Sequence, residues 1–107
     1  MQYYLYLLAA IILEVAGTTS MKMSEGFTRT WPSVAMMVLY LLSIGALTLA
    51  LKRFDMSVAY AIWSGVGTAL ITIVGIYLFK EPVSLAKLGS IALIIVGVVG
   101  LHLSSQP

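Results

Sequence analysis

The sequence contains no cysteine, which excludes disulfide bonds and thiolate metal centres. Its single histidine and four acidic residues are too few for a His/Glu metal cage, and nothing in the chain calls for a cofactor. Charge as a whole is scarce. Asp, Glu, Lys and Arg make up 9% of 107 residues, against 61% hydrophobic residues and a mean hydropathy of +1.04. A soluble domain of this length has too little polar side chain to cover that much apolar surface. The chain is therefore read as an all-α integral membrane protein, one bundle over residues 1–107 with no room for a second domain. The net charge of +2 comes from Lys and Arg in short breaks. That distribution suits the headgroups of a lipid bilayer and leaves no nucleic-acid footprint. The N-terminus lacks the basic segment of a cleavable signal peptide, and Glu14 interrupts what would be its apolar core. The first apolar run is thus expected to remain in the mature protein.

Four apolar runs are present, at about 3–21, 34–51, 56–79 and 85–103. A helix needs about 20 apolar residues to cross a bilayer, and only the second run is slightly short. The breaks carry the punctuation. Lys22 to Pro32 holds Gly26 and an interfacial Trp31, and Ser33 is a plausible N-cap for the second run. Lys52-Arg53-Phe54-Asp55 is a tight polar hairpin, and Pro82 follows the third run. Gly65 and Gly67, two apart in the third run, permit a bend or the close approach of another backbone. Gly89, Ser90, Gly97 and Gly100 give the fourth run the small residues that let membrane helices approach. His102 reads as an interfacial residue. Loops one and three carry Lys22, Arg29, Lys80 and Lys87 against Lys52 and Arg53 on the other side. This bias favours loops one and three in the cytoplasm. It is small enough for both orientations to be inserted. Four helices are too few for an internal inverted repeat, so a symmetric pathway requires two copies.

The first run holds the most informative residue. Glu14 is its only charged side chain before Lys22, and Leu7, Ala10, Ile11, Gly17, Thr18 and Met21 share its helical face. A charge at the centre of a membrane helix costs about 2.5–3.5 kcal/mol on insertion scales, so such residues normally face a protein interior or a wet cavity and serve a function there. The plainer reading is a permanently protonated Glu hydrogen-bonded to Thr18 or Thr19, or across helices to a Ser or Tyr. Removing a carboxyl group from water disfavours its charged form, which equips it to take up and release a proton. In its charged form the same group attracts a cation. Tyr40, Tyr60 and Trp63 lie at membrane depth, and aromatic faces stabilise poorly solvated cations, quaternary ammonium groups included. For Tyr3, Tyr4, Tyr6, Trp31 and Tyr77, near the ends of the runs, interfacial packing is the preferred reading. A carboxylate among aromatics, with no Lys or Arg beside it, describes a site where protons and a lipophilic cation compete. An inward proton gradient then drives cation export.

The residues also carry a resemblance. Leu13-Glu14-Val15 with Gly17-Thr18-Thr19, Met21-Lys22, Ser24-Glu25-Gly26-Phe27-Thr28-Arg29, Trp31-Pro32-Ser33 and Ala59-Tyr60-Ala61-Ile62-Trp63-Ser64-Gly65-Val66-Gly67 closely resemble the small multidrug resistance family. The resemblance implies four transmembrane helices per subunit in a dual-topology antiparallel homodimer of the bacterial inner membrane. It implies a secondary transporter, exchanging protons for polyaromatic or quaternary ammonium cations. By position, Glu14 matches the shared carboxylate, and Leu7, Ala10, Gly17 and Thr18 match the chamber face of helix one. Tyr40 and Ser43 match helix-two positions near the chamber, and Tyr60 and Trp63 match aromatic substrate contacts. Gly65 and Gly67 match a helix-three kink, and Gly89, Ser90 and Gly97 match dimer packing on helix four, with Ser90 where the family usually has Gly. The Gly17-Thr18-Thr19 segment looks like the drug-exporting branch.

Other readings remain open at this point. A guanidinium or other small-cation exporter, or one subunit of a paired heterodimer, keeps the same architecture. A rotary ATPase ring subunit also carries a mid-membrane carboxylate, but expects little aromatic content beside it. A structural or regulatory membrane subunit would tolerate Glu14→Gln. An enzyme finds no second polar group at the depth of Glu14 apart from Tyr and Ser.

Overall fold

The computed structural model describes residues 2–104; the expected range of 1–107 extends past them at both ends. Four helices follow in order: α1 (Gln2–Met23), α2 (Thr30–Ala50), α3 (Met56–Leu78) and α4 (Leu85–Ser104). All four are long and apolar enough to cross a membrane. Even α4, with 20 residues, reaches about 30 Å, the thickness of a hydrocarbon core. No strand occurs among the described residues. The protein is an all-α membrane protein of four helices, as its composition requires: in lipid every backbone N–H and C=O must be satisfied within the segment.

The chain divides into two compact units, Met1–Phe54 and Asp55–Pro107. In the first, α1 and α2 pack as an antiparallel hairpin. Gly17 meets Tyr40, the backbone of Ala10 meets Ser43, and the Tyr4 ring meets Phe54 edge-on at 4.8 Å. The buried side of α1 consists of Leu7, Ala10, Ile11, Val15 and Gly17. Water exclusion gives little drive for this packing in a bilayer, because lipid tails are as apolar as Leu. Small residues that admit close contact, and hydrogen bonds between helices, replace it. Both are present here.

The turn between α1 and α2 is built on Ser24, which is almost fully buried at 1% exposure. Its hydroxyl donates to the Met21 carbonyl at 2.7 Å and accepts from the Phe27 N–H at 3.2 Å. Its carbonyl accepts from the N–H groups of Thr28 and Arg29. Glu25, Gly26 and Phe27 all take positive φ, at 49°, 71° and 68°. That left-handed run is natural for Gly26 and unusual for its two neighbours.

Helix α2 begins earlier than its apolar pattern. Thr30 opens it, and Ser33 lies inside its first turn, not at the N-cap; the cap position is Arg29, without a side-chain cap. Pro32 is compatible with this start, since the first N–H groups of a helix have no intrahelical acceptor to lose. The Ser33 hydroxyl donates back to the Arg29 carbonyl at 2.7 Å.

In the second unit α3 and α4 form another antiparallel hairpin. α3 ends at Leu78, ahead of Pro82, with the Phe79 and Glu81 N–H groups both on the Gly75 carbonyl. α4 opens after Ser84, whose hydroxyl accepts from the Lys87 N–H at 3.0 Å, the geometry of an N-cap. No residue of α4 is buried.

Candidate cation and proton site

Glu14 lies on the fourth turn of α1 and is half-buried. Thr18, one turn further on, donates its hydroxyl proton to Glu14 Oε1 at 2.7 Å. The same Oγ1 lies 2.6 Å from the Tyr40 hydroxyl on α2, a bond in which either oxygen can donate. Glu14, Thr18 and Tyr40 thus form one continuous chain across the two helices. Thr19 takes no part in it, since its hydroxyl bonds to the carbonyl of Val15 at 2.8 Å.

Gly17 makes the chain possible. A Cβ built there would lie 2.6 and 2.7 Å from two ring carbons of Tyr40. Only glycine lets the ring rest on the backbone of α1 and bring its hydroxyl to Thr18. One turn deeper in the hairpin, Ser43 is 4% exposed and donates to the Ala10 carbonyl at 2.7 Å. Leu7 and Ala10 are 2% and 0% exposed. Glu14 and the six positions of this unit expected near it therefore all lie in the α1–α2 hairpin. Glu14, Thr18 and Tyr40 carry the polar chemistry. Leu7, Ala10, Gly17 and Ser43 are buried along the same hairpin.

The second unit holds the aromatic pair. The rings of Tyr60 and Trp63 meet edge to face, with centroids 5.2 Å apart and planes at 79°. Tyr60 is 59% exposed. The indole Nε1 of Trp63 is buried and has no hydrogen-bond partner among the described residues. A buried indole donor usually finds a partner, which sets this group apart from the other polar side chains of α3, whose hydroxyls at Thr68 and Thr72 bond their own helix. α3 runs as one helix through Gly65 and Gly67, both buried. At Gly65 the space for a Cβ is taken by Val98 Cγ2 of α4 at 2.6 Å, which makes it the closest approach described between these helices. Gly89, Ser90 and Gly97 are exposed, and a Cβ on either glycine would meet nothing within 4 Å.

Sequence reasoning did not find Ser24, the Ser84 cap or the seating of Tyr40 on Gly17. Signals for the first two exist, a serine followed by Gly26 at the end of an apolar run and a serine directly before one. The third depends on the register between two helices, which no single-helix pattern contains.

The arrangement suits a small set of ligands. One carboxylate with two hydroxyls offers a single negative charge and weak neutral acceptors. That is enough for a proton or a monovalent organic cation and too little for a divalent metal.

Comparison with known proteins gives the same direction. Residues 2–94 match the family model described as Small Multidrug Resistance protein. An uncharacterized membrane protein, YvaE of Bacillus subtilis (strain 168), is 54% identical over 100 residues, 94% of this chain and 84% of its own length. Multidrug resistance protein EbrB of the same organism is 49% identical over 104 residues, covering 97% and 89% of the two chains. Multidrug resistance protein Mmr of Mycobacterium tuberculosis (strain ATCC 25618 / H37Rv) is 44% identical over 102 residues, covering 94% and 95%. With four apolar helices of spanning length, a family match over nearly the whole chain and relatives of this identity, the protein is a multi-pass bacterial membrane protein, a transporter and not an enzyme, and it belongs to the small multidrug resistance family.

Proposed function

We propose that this member of a multidrug efflux family is a proton-coupled antiporter that exports lipophilic and quaternary ammonium cations. Protons and substrate compete for Glu14. The observation that carries this reading is Glu14 itself, a half-buried carboxylate far inside a membrane helix whose bonded neighbour is the Thr18 hydroxyl and not a cationic side chain. Its charge is left for an incoming cation to neutralise. Tyr60 and Trp63 supply aromatic faces for the same class of ligand. Tyr40 and Ser43, with Leu7, Ala10, Gly17 and Thr18, form the α1–α2 seam that carries the carboxylate. Gly65 and Gly67 are the places where α3 can bend.

The working unit in this proposal is an antiparallel homodimer, inserted in both orientations. Exposed Gly89, Ser90 and Gly97 on α4, a helix with no buried residue of its own, form its packing surface. A paired heterodimer with a subunit of opposite orientation is the second reading, and the excess of Lys and Arg in loops one and three is what favours it.

The test uses purified full-length protein in weakly buffered detergent. Tetraphenylphosphonium is added and proton release is recorded for the wild type and for Glu14→Gln. The wild type is expected to release protons and the variant none. Binding without release shows that cation and proton do not share a site, and overturns the exchange mechanism. Release driven by guanidinium alone moves the protein to the small-cation branch.

A further inference from the structure

We propose that Thr18 and Tyr40 are positioning residues that form a hydroxyl relay, reading the protonation state of Glu14 and passing it from α1 to α2. The proposal rests on the reading of Glu14 as the proton site and gives that site a built-in reporter. Its warrant is hydrogen-bond arithmetic. Thr18 Oγ1 touches both Glu14 Oε1, at 2.7 Å, and the Tyr40 hydroxyl, at 2.6 Å. A hydroxyl has one proton to donate.

A charged Glu14 can only accept. Thr18 must then point its proton at the carboxylate, and Tyr40 must donate to Thr18. Once Glu14 carries a proton on Oε1, it becomes the donor. Thr18 turns to donate to Tyr40, and the Tyr40 proton turns away from Thr18. No proton is transferred between residues in this exchange. Two O–H bonds rotate, and the single proton gained is the one Glu14 takes up.

Three observations make the relay specific. The other hydroxyls nearby are already committed, Thr19 to the Val15 carbonyl and Ser43 to the Ala10 carbonyl. Gly17 holds the Tyr40 ring against α1, since any Cβ there would strike it. Tyr40 is the only titratable side chain of α2, the helix packed against Glu14 in this unit. On α1 itself the other titratable groups are Tyr3, Tyr4, Tyr6 and Lys22, each about two turns or more away. Within this unit the relay therefore begins at Glu14 and ends at Tyr40.

The experiment is a pH titration of the full-length protein in lipid bicelles, with 13C labels on the glutamate carboxyl and the tyrosine ring carbon that bears the hydroxyl. Tyr40 is assigned by difference with Tyr40→Phe. In the wild type the Tyr40 signal is expected to move with the Glu14 titration and share its midpoint. Thr18→Val should flatten the Tyr40 response. It should also raise the Glu14 midpoint, because the charge-assisted bond lost by the ionised form is stronger than the neutral one lost by the protonated form. Thr18→Ser should restore both. Tyr40→Phe and Gly17→Ala should raise the midpoint by less, since they remove only the outer link. A Tyr40 signal that stays flat through the wild-type Glu14 titration overturns the relay, as does an unchanged midpoint in Thr18→Val. If Thr18→Val does not fold, the wild-type coupling and Thr18→Ser decide. The titration uses no transported cation, so loss of the exporter reading registers separately, as absent proton release on adding tetraphenylphosphonium.

Discussion

The two halves of the chain are both antiparallel hairpins of apolar helices, yet they are held by different forces. In the α1–α2 unit polar side chains cross between the helices: Ser43 bonds the backbone of Ala10, and Tyr40 bonds Thr18. In the α3–α4 unit Thr68, Thr72 and Ser104 bond carbonyls of their own helices. What brings α3 and α4 together is the missing side chain at Gly65, filled by Val98 and Ile94. A hydrogen bond in lipid fixes direction as well as distance, whereas a steric contact fixes distance and lets one surface slide over the other. The unit that holds Glu14 is the directionally fixed one. The unit that holds the aromatic pair is the one with a helix, α4, in which no residue is buried.

The largest test of this contrast is Gly97→Leu. The position is open within the chain, so each hairpin should form as before while cross-linked dimer and transport are lost. If dimer and transport persist, the exposed α4 face is not the packing surface. Gly65→Ala comes next. Its Cβ would overlap Val98 Cγ2 at 2.6 Å, and overpacking of this kind costs about 1–3 kcal/mol. Unfolding in detergent should detect the loss, and Val98→Ala should recover most of it. A steric seam predicts that rescue, and its failure would place the contact energy elsewhere. The smallest effect is expected for Ser43→Ala. Interhelical hydrogen bonds in membrane proteins average about 0.6 kcal/mol, and the Ala10 carbonyl remains inside a helix. A much larger loss would mean that the polar link carries the hairpin by itself.

Much of this was legible in the sequence, for reasons that differ from residue to residue. The spans could be read because crossing a bilayer demands length and apolarity, and little else satisfies both. Glu14 could be read because a carboxylate there is costly. The Thr18 bond was within reach, since residues four apart on a helix are neighbours. Its extension to Tyr40 was not, because a helical pattern names the buried face of each helix but not how far one slides along the other. The start of α2 was misplaced for a local reason. Trp31-Pro32 looks like a break, but proline in a first turn leaves the helix intact. Ser24 entered only as part of a motif, because composition does not show which loop hydroxyl turns inward, and here its backbone and side chain together organise the turn.

The bonds of that turn join residues between Ser20 and Arg29 only. Contacts so close in sequence can form within microseconds or less of becoming available, whereas a chain is synthesised at about 5–20 residues per second. The first hairpin therefore has every contact it needs while α3 is still being translated. It can form as a hairpin of its own, with the Glu14 carboxylate already hydrogen-bonded to Thr18, before the rest of the chain is available.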